Sequence, residues 1–265
     1  MKTLVVGASG AIGRLLVEQL LASGRSVKVV VRSTSDFFDA WRYDGHLTVI
    51  KRNITEITVE EMSELLADCD SVVSCLGHNL TLKGIYGKPR RLVADTVSVI
   101  SEAILINAFE MPIRFVLMNT AGNANRDLDE PLSTGQKLVI GLVRLFLPPH
   151  QDNEKAADYL RIKIGQNNRF IEWVVVRPDT LIDEAKVSAY SLHNSPTRSA
   201  IFDPGKTSRV NVGHFMTALV SDDQMWSKWK GKMPVIYNVT EEMKYAILSS
   251  NRNHASIIGM KCWIG

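Results

Sequence analysis

Short, nearly uninterrupted apolar runs alternate along this chain with longer stretches whose apolar residues recur every three or four positions. The runs are "TLVVG" from Thr3, "SVKVVV" from Ser26, "LTVIK" from Leu47, "DSVVSCL" from Asp70, "RFVLMNT" from Arg114 and "IEWVVVR" from Ile171. Their β-branched content predicts strands, and their lack of polar alternation predicts strands covered on both faces. Between them, "AIGRLLVEQLLAS", "TVEEMSELLAD", "PRRLVADTVSVISEAILINAFE" and "NEKAADYLRIKIG" have helical spacing. Six strands with crossover helices predict an α/β fold of Rossmann type, a doubly wound parallel sheet. Right-handed crossovers leave few topologies for it. After Pro178 the pattern loosens through "SLHNSPTRSAIFDPGKTSR", then resumes as a helix near "VNVGHFMTALV" and a strand near "PVIYNV". We expect one domain over residues 1–265, with residues 179–233 forming a small C-terminal lobe over the carboxyl edge of the sheet.

Composition narrows the function classes. With 265 residues and 45% hydrophobic content, the chain can bury a substantial core. A net charge of +3 and one notable basic cluster, "KGIYGKPRR", do not make a nucleic-acid surface. Cys69, Cys75 and Cys262 fit neither a disulfide framework nor metal-ligand spacing, so reduced thiols and no metal are expected. The apolar run "KLVIGLVRLFLPP" is too short to span a bilayer and carries Arg144. With a strand expected from Lys2, no segment remains for a signal peptide, and a cytoplasmic protein is expected.

The first βα junction carries the clearest chemistry. "VVGASGAIGR" sets Gly7, Gly10 and Gly13 directly after a strand and at the start of a helix. Gly7 permits the tight turn, Gly10 lets backbone approach a pyrophosphate, and Gly13 allows close helix–strand packing. Ser9, Ala11 and Ile12 complete the turn, whose free N–H groups and positive helix end suit phosphates. The second strand ends in Arg32, Ser33 and Thr34 rather than in the carboxylate that would bind a ribose 2′-hydroxyl. A guanidinium there suits a 2′-phosphate, so NADP(H) is expected over NAD(H), with NAD(H) the alternative. Further strand ends point to the same crevice: Asn53 and Ile54 after the third, Cys75, Leu76 and Gly77 after the fourth, Asn119 and Thr120 after the fifth.

With "GASGAIGR", "VVVR", "SCLG", "FVLMNTAG" and "WVVVRP" in place, the chain resembles an atypical short-chain dehydrogenase/reductase. The resemblance, over roughly residues 1 to 240, is to the NmrA-like or NAD(P)H-binding group that includes biliverdin-IXβ/flavin reductases. It implies a serine or threonine at the end of the fifth strand, here Thr120, and a Tyr–Lys pair on the next helix. In relatives, that lysine stands about six helical turns' worth of residues before the Arg-Pro pair. Lys155 lies 22 positions before Arg177 (177 − 155) and fits, whereas Lys163 lies 14 before it (177 − 163). The alignment therefore puts Gln151 at the tyrosine position. Tyr159 falls one turn further on, so its pair with Lys163 is read as a decoy, with the tyrosine ring as a core or lobe contact. His150 is the leading proton-delivering group and His78 the second. His214 and the tryptophans Trp226, Trp229 and Trp263 are read as structural, and Asp152 and Asn153 as caps of the helix that holds Lys155.

These residues define an expected NADP(H)-dependent oxidoreductase that passes hydride to a small carbonyl or conjugated substrate, with Thr120, His150 and Lys155 as its catalytic set. An NmrA-like redox sensor that binds NADP(H) without turnover is the alternative, and a sugar-nucleotide epimerase a third reading. A small-molecule substrate is expected, while a homodimer or a protein partner stays open.

Overall fold

Alternate residues of the first strand enter two different cores: Leu4 and Val6 on one face, Val5 on the other, all buried. A computed structural model of the chain describes residues 1–33, 45–78, 87–128 and 147–239, with isolated positions between 130 and 144. Thr34, Lys83, Cys262 and Trp263 lie outside the described residues.

In chain order the elements are β1 (Lys2–Val6), α1 (Ala11–Ala22), β2 (Ser26–Val31), β3 (Leu47–Lys51), α2 (Val59–Leu66) and β4 (Ser71–Ser74). There follow α3 (Leu92–Asn107), β5 (Ile113–Met118), α4 (Pro148–Asp158), β6 (Ile171–Pro178), β7 (Thr180–Ile182) and β8 (Tyr190–His193). The last are β9 (Lys206–Ser208), α5 (Arg209–Ser221), α6 (Asp223–Trp229) and β10 (Val235–Asn238). The main sheet runs β3-β2-β1-β4-β5-β6-β10-β8. Strands β1 to β6 and β10 pair in parallel, and β8 closes the edge antiparallel to β10. This is the expected Rossmann-like α/β arrangement, with all six predicted strands present.

Helices cover both faces. Met62 and Leu66 of α2, Val97 and Ile100 of α3, and Ala156 and Ala157 of α4 pack on Phe115, Leu117, Trp173 and Val175. On the opposite face, Leu16 and Leu20 of α1, Phe215 and Met216 of α5, and Trp226 and Trp229 of α6 pack on Val73, Val116, Val174 and Val176. Two-sided burial is why β1, β2, β4, β5 and β6 read as continuous apolar runs, whereas β3, at the edge of the sheet, departs from that expectation with Thr48, Val49 and Lys51 exposed. Local signals set the helix ends. Thr58 and Glu61 form a capping box at α2, and Ser208 caps α5 through the Asn211 N–H.

Beyond β6, β7 and β9 form a small parallel pair, while α5 and α6 return to the main core. Among the described residues no helix is long and apolar enough to cross a membrane. Nor do they contain a cluster of three or more His, Cys, Asp or Glu that could hold a metal.

Candidate cofactor-binding site

At the carboxyl end of β1 the chain turns through Gly7, whose φ of 77° lies in the left-handed region. A Cβ on Gly7 would stand 2.6 Å from the Cys75 carbonyl carbon and 2.7 Å from the Leu76 nitrogen. The turn therefore rests directly on the backbone that leaves β4. Gly13 has a different duty: a Cβ there would come within 2.2 Å of the Gly7 carbonyl oxygen, so only glycine lets α1 sit against the turn. Gly10 is the α1 N-cap and offers no side-chain cap, which leaves first-turn N–H groups for a ligand.

A cavity of about 630 Å³ opens beside this turn, within the range of cofactor sites. Gly7, Ser9 and Gly10 form one wall, Val30 to Arg32 a second, and Arg52, Asn53, Ile54 and Thr55 a third. Cys75, Leu76, Gly77 and His78 close it from the end of β4, with Lys88 and Pro89 ahead of α3 and Leu92 at its first position. Gly7, Ser9, Gly10, Arg32, Asn53, Ile54, Cys75, Leu76 and Gly77 thus come together, as the strand-end reading expected of them. Ala11, Ile12 and Gly13 stand behind them as the first turn of α1, with Ile12 and Gly13 buried. Burial pushes the Cys75 thiol up to about 12, so it stays neutral and unreactive.

The structure adds a second guanidinium that the sequence reading passed over. Arg52, one residue beyond β3, lines the cavity as Arg32 does, and it pairs with Glu61 on α2. Arg32 is exposed and has no ion pair among the described residues. The basic pair Lys51-Arg52 at a strand's carboxyl end was the available signal.

The residues expected to act on substrate sit along the ends of β5 and α4, outside the cavity wall. His150 lies within the first turn of α4, which starts at Pro148 rather than near Asn153. Two prolines at the helix start suit positions whose N–H groups have no intrahelical partner. Thr120 and His150 approach each other across Gly122. A Cβ on Gly122 would lie 3.7 Å from both the His150 Cε1 and the Thr120 Oγ1. His150 Nε2 is 3.4 Å from Glu154 Oε1, too poorly placed for a hydrogen bond, and is buried without a hydrogen-bond partner among the described residues. Arg144 donates to Glu154 through Nε and Nη2 at 2.7 to 3.0 Å. Burial works to raise the Glu154 carboxyl, but the His150 and Arg144 contacts outweigh it and hold it down to about 2. Glu154 is therefore anionic across the physiological range.

Lys155 and Gln151 are exposed, and the Gln151 amide donates to the Arg144 carbonyl at 2.6 Å. Tyr159 opens a π-helical turn (Tyr159–Ile164) and packs half-buried against the first core, while Lys163 is exposed. Neither belongs to the cavity wall, and neither do Thr120, His150 and Lys155. Asp152 corrects an expectation. It does not cap its own helix but lies buried against the start of α3, accepting from Val93 N at 2.8 Å and Ala94 N at 3.0 Å. Its Oδ2 also meets His78 Nε2 at 2.7 Å. A contact 74 residues apart left no local mark in the sequence.

Comparison with known proteins agrees with this geometry. Residues 7–223 match the model of a family described as NAD(P)H-binding. A curated relative, a chloroplastic protein of Arabidopsis thaliana, is 32% identical over 74 residues. That match covers 28% of this chain and about a quarter (26%) of the relative. Among solved structures, the oxidoreductase ylbE of Lactococcus lactis superposes with a TM-score of 0.65 at 17% identity, covering 98% of this chain and 100% of its own. A putative NADH-flavin reductase of Streptococcus pneumoniae gives 0.61 at 20%, covering 90% and 99%. A short-chain dehydrogenase/reductase of Veillonella parvula, solved with NADP, gives 0.61 at 13%, covering 89% and 94%. The chain belongs to the NAD(P)H-binding family.

Proposed function

We propose that this protein is an NADP(H)-dependent oxidoreductase of the atypical short-chain dehydrogenase/reductase type, acting in the cytoplasm on a small carbonyl or conjugated substrate. The observation that carries the cofactor preference is the pair of guanidinium groups, Arg32 and Arg52, at adjacent strand ends of one cavity, with Arg32 and Ser33 directly after β2. Such a rim favours a 2′-phosphate over a free ribose hydroxyl. When bound, the cofactor supplies the hydride. The chain's own part is to position substrate beyond the carboxyl end of β5, where the Thr120 hydroxyl orients it and His150, beside the Glu154 carboxylate, delivers a proton. Lys155 stands one turn along α4 from Gln151 and supplies positive charge near this strand end. The similarity to a flavin reductase favours a flat, conjugated acceptor; of residues 179–233, expected as a lobe, α5 and α6 belong to the main core, and the segment around β7 and β9 is proposed to cover the substrate.

The exposed Gln151, where the resemblance calls for tyrosine, favours a second reading as an NADP(H)-binding sensor. NADPH oxidation measured against a panel of flavins, quinones, tetrapyrroles and aldehydes separates the two. Turnover with any of them supports the enzyme, and tight NADPH binding without turnover supports the sensor. With a substrate in hand, His150→Ala is expected to lower kcat about 10²-fold while NADPH affinity changes less than twofold. Unaltered turnover removes His150 from the mechanism. Arg32→Asp is expected to weaken NADPH at least tenfold and to improve NADH, read by fluorescence titration of both. Equal affinities before and after the change would reject the assignment of Arg32.

A further inference from the structure

Of the two guanidinium groups on the cavity rim, Arg32 has no ion pair among the described residues, whereas Arg52 is held by one. The Arg52 N–H donates to the Val31 carbonyl at 2.9 Å, so its backbone runs beside the end of β2. Its side chain is half exposed and gives Nη2 to a Glu61 oxygen on α2. That carboxylate is fixed from its other side as well. Its second oxygen accepts the Thr58 N–H at 3.1 Å, while the Thr58 hydroxyl accepts the Glu61 N–H at 3.2 Å. The Thr58 backbone N–H foremost, and then the Arg52 guanidinium, holds the Glu61 carboxyl below the usual carboxylate range. Glu61 is therefore anionic at neutral pH.

A fixed negative charge against Arg52 acts on the two cofactors unequally. The 2′-phosphate of NADPH carries about 1.5 to 2 negative charges at pH 7. It must share the guanidinium with Glu61, and that carboxylate repels it at close range. NADH brings no phosphate to this rim and leaves the pair as it stands. An exposed ion pair adds little to the stability of a fold, so the main consequence of this one lies with the ligand. Glu60, one position back on α2, carries the same charge but takes its hydrogen bonds from its own backbone N–H and from Thr58.

We propose that Glu61 sets the cofactor discrimination of this cavity. By holding Arg52 it withholds part of that charge from a 2′-phosphate, so NADPH is preferred over NADH by less than two free guanidinium groups would give. Arg32 is then the standing determinant and Arg52 a restrained second one. The inference rests on the reading of Arg32 and Arg52 as the 2′-phosphate rim.

The test is fluorescence titration of the full chain with NADPH and with NADH at low salt, where surface charges are least screened. Wild type is compared with Glu61→Gln, Glu60→Gln, Arg52→Gln and the double variant Glu61→Gln with Arg52→Gln. Glutamine can keep the capping box, so Glu61→Gln should melt within about 2 °C of wild type. It is expected to raise the ratio of NADPH to NADH affinity about three- to tenfold. Glu60→Gln should move that ratio less than about twofold. In the Arg52→Gln background, the Glu61 change should do no more than Glu60→Gln does. A ratio that Glu61→Gln leaves unchanged or lowers overturns the inference, and a lowered one shows instead that the pair aims Arg52 at the phosphate. An increase matched by Glu60→Gln, or kept without Arg52, overturns it too, because a general field then accounts for the change. Where Arg52→Gln lowers the ratio beside an inert Glu61→Gln, only the inference falls. An Arg52→Gln protein with the wild-type ratio removes Arg52 from the rim, and the inference with it. Failure of both cofactors to bind wild type overturns the cavity reading itself.

Discussion

Gly7→Ala is expected to cost both fold stability and the cofactor, whereas Gly10→Ala is expected to cost only the cofactor. At Gly7 the backbone φ is 77°, and the new methyl would stand 2.6 to 2.7 Å from the Cys75 carbonyl and the Leu76 nitrogen. All three atoms are backbone of a strand end, so no side chain can swing away. The left-handed conformation costs an alanine about 1–2 kcal/mol, and forcing the turn away from β4 adds about 1–3 kcal/mol. A loss of about 2–5 kcal/mol lowers Tm by roughly 5–15 °C in a domain of this size. NADPH affinity should fall at least a hundredfold, because displacement of the turn moves the N–H groups that would hold phosphate. Gly10 has an ordinary φ of −73°, and its nearest obstacle is the Gly7 carbonyl oxygen at 3.3 Å. Gly10→Ala should therefore melt within about 2 °C of wild type yet bind NADPH about tenfold more weakly, its methyl meeting the ligand. Thermal melts and fluorescence titration of both variants check the pair. A Gly7→Ala protein with unchanged Tm would contradict the close packing of turn on strand.

The contrast between these glycines also shows which parts of the site a sequence can carry. The turn is local: three glycines between a strand and a helix define it, and their burdens follow from spacing alone. The sheet was legible for a related reason, since strands covered on both faces lose their polar alternation and stand out as apolar runs. Contacts made across the fold left no such trace. Asp152 reads as a helix cap from its neighbours, but its partners, His78, Val93 and Ala94, come from two other elements. Arg52 was hidden differently. A basic residue after an edge strand is ordinary surface, and only the adjacency of β2 and β3 makes it a companion to Arg32. The start of α4 was within reach, because Pro148-Pro149 signals a helix beginning. Weight given to the apolar spacing of the later residues moved the expected start to Asn153. In the Tyr159–Lys163 motif a catalytic spacing falls on a tyrosine that packs half-buried against the core and a lysine that is exposed, so spacing alone does not place a pair at the cofactor.

Arg177→Met is expected to be strongly destabilising. The guanidinium is fully buried, and all five of its N–H donors are used. Two meet the Glu130 carboxylate at 2.8 and 3.1 Å, and the others reach the carbonyls of Met233, Asn123 and Asn194. Glu130 in turn accepts from the Asn125 N–H at 2.8 Å. One side chain therefore joins β6 to the segment after β5, to the segment after β8 and to the approach to β10. Methionine would leave an uncompensated buried carboxylate and three carbonyls without donors. Breaking a buried pair in this way costs about 3–5 kcal/mol, or roughly 10 °C in Tm. Lysine keeps the charge but has three donors instead of five, so Arg177→Lys should fall between methionine and wild type. The double variant Arg177→Met with Glu130→Met separates charge from architecture. Removing the stranded carboxylate should restore part of the loss, and the three carbonyls should keep the protein below wild type. A single Arg177→Met that melts within about 2 °C of wild type would show that water or a relaxed backbone replaces these bonds. Because the same guanidinium holds the Asn123–Asn125 segment beside Thr120 and Gly122, the variant should also loosen the approach of Thr120 to His150. Amide hydrogen exchange is then expected to rise first in residues 119–125, ahead of global unfolding.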